Sequence, residues 1–234
     1  MSRSAHRVLC SAALTLFLVA LPVLSTGQEA SIDSQGRSVT TASPTTGVPS
    51  PNVKPDTAIP EGTVTIYSNF GSGYLYNCCT GWTKTGPALS APSPPQNVVQ
   101  AMSFTPSKGT YLLTQVDLAI GWVSGANGYK LELRDDHEGM PGRKIASWKV
   151  TGLPTFASTS STVETIKVRG LVIVEKHHQY WLVAIPTSDE WAGWNWNGAS
   201  ATGNLGLSVD GGSTWTLFPS STLGAFDVLG WKLY

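Results

Sequence analysis

Thr110-Tyr111-Leu112-Leu113-Thr114-Gln115-Val116-Asp117-Leu118-Ala119-Ile120-Gly121-Trp122-Val123, followed after a short turn by Tyr129-Lys130-Leu131-Glu132-Leu133, decides the class of this chain. In the first run Leu112, Val116, Leu118 and Ile120 are spaced mainly by two; the second alternates apolar against charged. Side chains of an extended chain point to opposite faces in turn, so a period of two is the signature of a strand with one buried face. The same pattern recurs in Val64–Tyr67, Val98–Phe104, Lys144–Val150, Val163–Val168, Leu171–Val174, Gln179–Ile185, Leu205–Val209, Thr214–Phe218 and Phe226–Leu233. Turn residues punctuate the runs: Pro106-Ser107-Lys108-Gly109, Gly125-Ala126-Asn127-Gly128, Pro141-Gly142 and Asp210-Gly211-Gly212. No window supports an amphipathic helix of three turns. About ten short strands in one domain predict an all-β fold, an antiparallel β-sandwich of jelly-roll type.

Upstream the composition changes. Arg3, His6 and Arg7 precede an almost wholly apolar run from Val8 to Leu24, and small residues follow at Ser25, Thr26 and Gly27. That order predicts a secretory signal peptide over residues 1–27. The run is shorter than the ~20 residues of a bilayer span, and no later stretch approaches that length. The expectation is a mature chain with no membrane span, secreted by a bacterium to the extracellular space or the periplasm. Residues 28–61 are read as a disordered or extended linker, because Ser38–Pro60 is crowded with Ser, Thr, Pro and Gly and has no Phe, Trp, Tyr, Leu or Met. Residues 62–234 then form one domain, which holds all nine Trp of the chain. Loss of Arg3 and Arg7 with the signal reduces the 15 Lys plus Arg to 13, against 15 Asp plus Glu. A near-neutral chain with sparse, mixed charge lacks the basic stripe of a nucleic-acid binder.

Cys10 leaves with the signal, so Cys78 and Cys79 remain. The options are a vicinal Cys78–Cys79 disulfide, intermolecular bridges or free thiols. An oxidising compartment favours the vicinal bridge as a local rigid knuckle.

Several segments together resemble the choice-of-anchor R domain family of bacterial secreted proteins. They include Tyr67-Ser68-Asn69-Phe70, Tyr76-Asn77-Cys78-Cys79-Thr80-Gly81-Trp82, Ala101-Met102-Ser103-Phe104-Thr105-Pro106, Leu118–Gly125, Gly139-Met140-Pro141-Gly142, Tyr180–Ala184, Trp194-Asn195-Trp196-Asn197 and Gly224–Val228. The Cys-Cys-Thr-Gly-Trp string is the most specific of these. The resemblance spans Val64 to Leu229 and implies the fold class and an extracytoplasmic setting; it implies no activity. Many members of that family carry a C-terminal sorting signal, which the segment ending at Tyr234 does not resemble.

Four stretches are candidates for function. Trp191-Ala192-Gly193-Trp194-Asn195-Trp196-Asn197 would, as a strand, put Trp194 and Trp196 on one face and Asn195 and Asn197 on the other. Large aromatics more often fill a core. The functional alternative is a carbohydrate platform of Trp191, Trp194 and Trp196, with Asn195 and Asn197 bonding sugar hydroxyls, for a polysaccharide or cell-surface glycan. Ser208-Val209-Asp210-Gly211-Gly212-Ser213-Thr214-Trp215 fits an Asp-box hairpin, in which Ser208, Asp210, Gly212 and Trp215 stabilise a turn. Asp135, Asp136 and Glu138 offer oxygen ligands for a structural calcium, though too few alone; a solvated acidic turn is the plainer reading. His177-His178 reads as a polar turn. Glu132, Glu164, Asp189 and Glu190 could supply the two carboxylates of a glycosidase, but nothing in their spacing selects a pair. With no hydrolase or metalloprotease motif present, the expectation is a non-catalytic module. It would bind extracellular polysaccharide, with a purely structural matrix protein and a glycan-active enzyme as alternatives.

Overall fold

The computed structural model describes residues 30–32, 37–40, 61–89, 95–157 and 163–234. The predicted signal peptide lies outside the described residues, as does most of the predicted linker. Strands follow one another along the chain. β1 (Ala30–Ile32), β2 (Arg37–Thr40), β3 (Val64–Ser68) and β4 (Tyr76–Thr85) come first, then β5 (Val99–Phe104), β6 (Tyr111–Leu118), β7 (Ile120–Gly125) and β8 (Gly128–His137). After these come β9 (Met140–Thr151), β10 (Glu164–Lys167), β11 (Ile173–Val174) and β12 (Tyr180–Pro186), and finally β13 (Glu190–Asn197), β14 (Thr202–Ser208), β15 (Thr216–Thr222) and β16 (Phe226–Lys232). All the ladders between these strands are antiparallel, and no helix occurs among the described residues. No helix there is therefore long and apolar enough to cross a membrane.

The fold is an antiparallel β-sandwich. One layer is the sheet β15-β14-β5-β12-β8-β9; the other is curled and made of β1-β2-β4-β13-β7 and β10-β6-β16-β3, with β11 also on β6. Beyond the β3–β4 start, the chain crosses repeatedly between layers. β5 lies in the first, β6 and β7 in the curled one, β8 and β9 in the first, β10 and β11 in the curled one, and so on to β16. That alternation is jelly-roll-like and explains why so few neighbours in sequence pair.

The run quoted at the outset is two strands rather than one. It bends at Ala119, where the two halves of the curled layer meet. Three backbone hydrogen bonds close a ring there: Ala119 N–H to Ala225 O (3.1 Å), Ala225 N–H to Asn195 O (2.7 Å) and Asn195 N–H to Ala119 O (2.8 Å). The β2–β4 pairing Arg37↔Trp82 to Val39↔Thr80 places part of the predicted linker on the sheet. Backbone pairing offsets ordering entropy without needing apolar side chains, so composition alone did not reveal it.

The core fills the space between layers. Met102, Leu131, Leu133, Leu182 and Ala184 from the flat layer meet Val116, Leu118, Ile120, Trp194, Phe226 and Val228 from the curled one. A second apolar cluster, with Val99, Ala101, Trp181 and Val183, lies on the other face of β5 and β12 and packs with Trp215 and Leu217. Both faces of these strands are thus buried, which is why they read as near-continuous apolar runs. On the other face of the curled layer Phe156 packs on Gly121 and Gly193; a Cβ on Gly193 would lie 2.5 Å from the Phe156 ring.

Asn69 anchors the corner. Its Nδ2 donates to Gly224 O (2.8 Å) and its Oδ1 accepts from Phe226 N–H (2.7 Å), both buried. Removing both partners strands two buried backbone groups, so Asn69→Ala should lower unfolding stability by about 3 kcal/mol. Urea unfolding followed by tryptophan fluorescence measures this; a shift under about 0.5 kcal/mol would show that the corner does not rely on it.

Candidate functional site

The tryptophan strand β13 pairs with β4 on one side and β7 on the other, so its side chains have little choice of environment. Trp194 has 0% exposure. Its Nε1–H donates to Ala225 O at 3.0 Å, and its ring meets Phe226 edge-on. Trp196 lies on the same core face, half-buried against Trp82 with ring centroids 5.9 Å apart. Trp191 is half-buried on the opposite face. The three rings therefore do not make one exposed platform. Asn195 and Asn197 do share the face opposite Trp194, but their amides serve the backbone. Asn195 Nδ2 donates to Asn77 O (3.0 Å). Asn197 donates to Ala201 O and Leu223 O and accepts from Ala201 N–H. Both amides are thus bonded to the backbone rather than presented on an open face.

Cys78 and Cys79 form the vicinal disulfide, with Cα atoms 3.8 Å apart. Asn77 Oδ1 accepts the N–H groups of Cys79 and Thr80. Cys78 packs with Phe70, Tyr76, Ala119, Val163 and Ala225 in a small apolar cluster over the corner of the curled layer.

The Ser208–Trp215 turn is built as an Asp-box hairpin. Asp210 accepts from Ser208 Oγ, Ser213 N–H, Thr214 N–H and Thr214 Oγ1. The Thr214 bonds, with Ser208 and Ser213 behind them, hold its carboxyl well below the usual range. Gly212 N–H donates to Ser208 Oγ, and Gly211 and Gly212 adopt positive φ of 77° and 92°. Trp215 packs against the outer apolar cluster of the flat layer.

The acidic turn does not assemble a calcium cage. Asp135 is held by His178 Nε2 at 2.7 Å, a hydrogen bond that lowers its pKa. Asp136 accepts from Gln179, Trp181 Nε1–H (2.8 Å) and Gly139 N–H, and Glu138 is exposed. Among the described residues no three His, Cys, Asp or Glu side chains gather as metal ligands. Of the suggested carboxylates, Glu132 is tied to Lys130 and Arg134 and Glu190 to Lys84.

Two features were not anticipated. The first is a polar row across four strands of the curled layer: Thr165, Asp117, Asp227 and Ser68 are successive register partners on β10, β6, β16 and β3. They face away from the main core. The two carboxylates at the centre of the row are covered, Asp117 0% and Asp227 5% exposed, while Thr165 is half-buried and Ser68 exposed. Thr165 Oγ1 donates to Asp117 at 2.7 Å and Gln115 Nε2 donates to both its oxygens. Asp227 Oδ1 has no hydrogen-bond partner among the described residues. Burial pushes Asp227 up to about 7, with the facing Asp117 adding to the shift and Ser68 opposing it. Burial also raises Asp117 and lifts Tyr74, which feels both carboxylates, to about 12.

The second feature is a groove of about 640 Å³ on the open rim between β9 and β10. Trp148, half-buried against the core, forms part of its wall, with Ser147, Lys149, Glu164, Lys167 and Arg169 around it. Burial raises the Glu164 pKa. Trp148 sits in an ordinary alternating strand, so only the rim position of β9 distinguishes it. Asp227 left a faint signal, being a lone carboxylate within the apolar run Phe226–Leu229.

No family model matches this chain, and neither a curated protein nor a solved structure matches it.

Folded protein retains the Asp227 proton between the ordinary carboxyl value of 3.8 and about 7, where an unfolded chain has released it. Raising pH through that window therefore favours unfolding, by a few kcal/mol at most. Urea midpoints should fall from pH 4.5 to pH 7.5 for the wild type and fall less for Asp227→Asn, which stays neutral throughout. Equal falls in the two proteins would remove Asp227 as the source.

Proposed function

We propose that this chain is an exported, non-catalytic β-sandwich module that binds extracellular polysaccharide, and that it does so in the rim groove rather than on β13. The observation that carries the reading is the open groove of about 640 Å³ with Trp148 in its wall. That volume lies within the ~300–1,000 Å³ of small-ligand sites. A half-exposed indole can stack on the C–H face of a sugar ring, and Ser147, Thr151 and Thr165 can exchange hydrogen bonds with hydroxyls. Lys149, Lys167 and Arg169 outnumber Glu164 along the groove, which suits a polysaccharide bearing carboxylates or sulfates. The apolar leader at Val8–Leu24 and the resemblance to choice-of-anchor R domains support the extracellular setting. Asp117 and Asp227 do not line this groove, so they give no support to a glycosidase.

A purely structural role is the second reading. It is favoured by the burial of Trp194 and the backbone bonds of Asn195 and Asn197.

Affinity electrophoresis of the purified protein through gels containing neutral or acidic polysaccharides separates the two. Retardation is expected in at least one acidic gel. Trp148→Ala, with an unchanged circular dichroism spectrum, should weaken it at least about tenfold, or ~1.4 kcal/mol. Equal mobility of both proteins in every gel would favour the structural role.

A further inference from the structure

The curled layer contains a fully buried lysine with a fully buried glutamate against it. Lys84 on β4 and Glu190 on β13 both have 0% side-chain exposure, and Lys84 Nζ touches Glu190 Oε1. The strands hold the two groups in place from both ends. Ala192 is the register partner of Lys84 and Trp191 that of Thr85. Gly86 N–H donates to Glu190 O at 2.8 Å, and Thr187 N–H binds the second carboxyl oxygen at 3.1 Å. Beneath, the Lys84 ammonium lies 4.2 Å from the centroid of the Tyr129 ring. Tyr129 is itself 1% exposed, and its hydroxyl has no hydrogen-bond partner among the described residues.

We propose that Lys84 and Glu190 are the two halves of an intramolecular amide, an isopeptide cross-link between β4 and β13. Burial works against both charges. It lowers Lys84 to about 8, with Glu190 pulling the other way, and raises Glu190 against the pull of Lys84. Neutral amine and neutral acid, the pair that can condense, are therefore closer in energy to the ion pair than they are in water. Amide formation in bulk water is hindered by the ammonium–carboxylate resting state and by the mass action of the solvent. A dry site lowers both obstacles, and fixed neighbours react as though at ~10⁵–10⁸ M.

The step balances without a co-reactant. The neutral Lys84 amine attacks Glu190 Cδ; the new C–N bond forms and the C–OH bond breaks. One amine proton goes to the departing hydroxyl, which leaves as water. The product is a neutral secondary amide in place of two buried charges.

Intact mass of the purified chain, denatured, reduced and alkylated so that Cys78 and Cys79 do not contribute, reads the outcome. The mass should be one water lower than the sequence requires, and Lys84→Ala and Glu190→Ala should each show the full mass of their own sequences. Because those variants lose a buried partner and can misfold, tandem mass spectrometry of the wild-type digest is the deciding measurement. A branched peptide joining the Lys84 and Glu190 segments, uncut at Lys84, is expected. Full mass after prolonged incubation of the folded protein between pH 6 and pH 9 would overturn the proposal. So would a loss of water confined to Asp210-Gly211, where an aspartyl–glycyl step can close to a cyclic imide.

Discussion

The backbone ring of Ala119, Asn195 and Ala225 is the constraint on which the rest of the molecule depends. Each of three segments gives one N–H and takes one at the point where a flat sheet would otherwise continue. The ring lets β6 leave β16 and continue as β7 beside β13, so one layer curls and closes over the other. Small residues at 119 and 225 allow the approach, and Asn195 can join because its side chain turns outward to Asn77 O. Trp194 fills the concave side of the same corner, pinned through Nε1 to Ala225 O. Gly224 is required there, since a Cβ would lie 2.5 Å from the indole. Asn69 and the Cys78–Cys79 knuckle secure the convex side.

Packing around this corner reassigns residues that look functional in isolation. A run with three tryptophans and two asparagines has the composition of a sugar site. Its central position between β4 and β7, however, pairs both edges, and its side chains are buried or half-buried on both faces. Large rings become filler and amides become braces for loops that lack regular pairing. The outer rim of the sandwich is where side chains stay accessible, and there β9 and β10 leave a groove.

The buried charges follow a different logic. Asp117 and Asp227 are adjacent, covered and only partly compensated, so burial raises both carboxyls above their ordinary range. Lys84 and Glu190 compensate one another inside the core. Like-charge neighbours shift protonation, whereas an opposite pair sets up attraction or, on the proposal above, condensation. Both sets lie on the curled layer, whose strands carry polar residues on covered faces.

Strand pattern was legible because period-two alternation is a local consequence of burying one face, and it appears in Tyr129–Leu133 or Phe226–Leu233 without knowledge of any neighbour. The vicinal bridge was legible for a similar reason, since adjacent Cys78 and Cys79 need no fold to bring them together. The Asp box was likewise readable, being a turn within eight residues. β4 escaped because Lys84 occupies a core-facing position and breaks the apolar rhythm. The bend at Ala119 escaped because alternation continues through it. Which carboxylates face each other, which tryptophans stay wet and which lysine loses its water depend on register between strands far apart in sequence. The sequence by itself determined class, turns and the local cysteine bridge, all governed by interactions within a few residues. Only the tertiary structure decided the sites, because burial and partner choice are properties of the assembled layers.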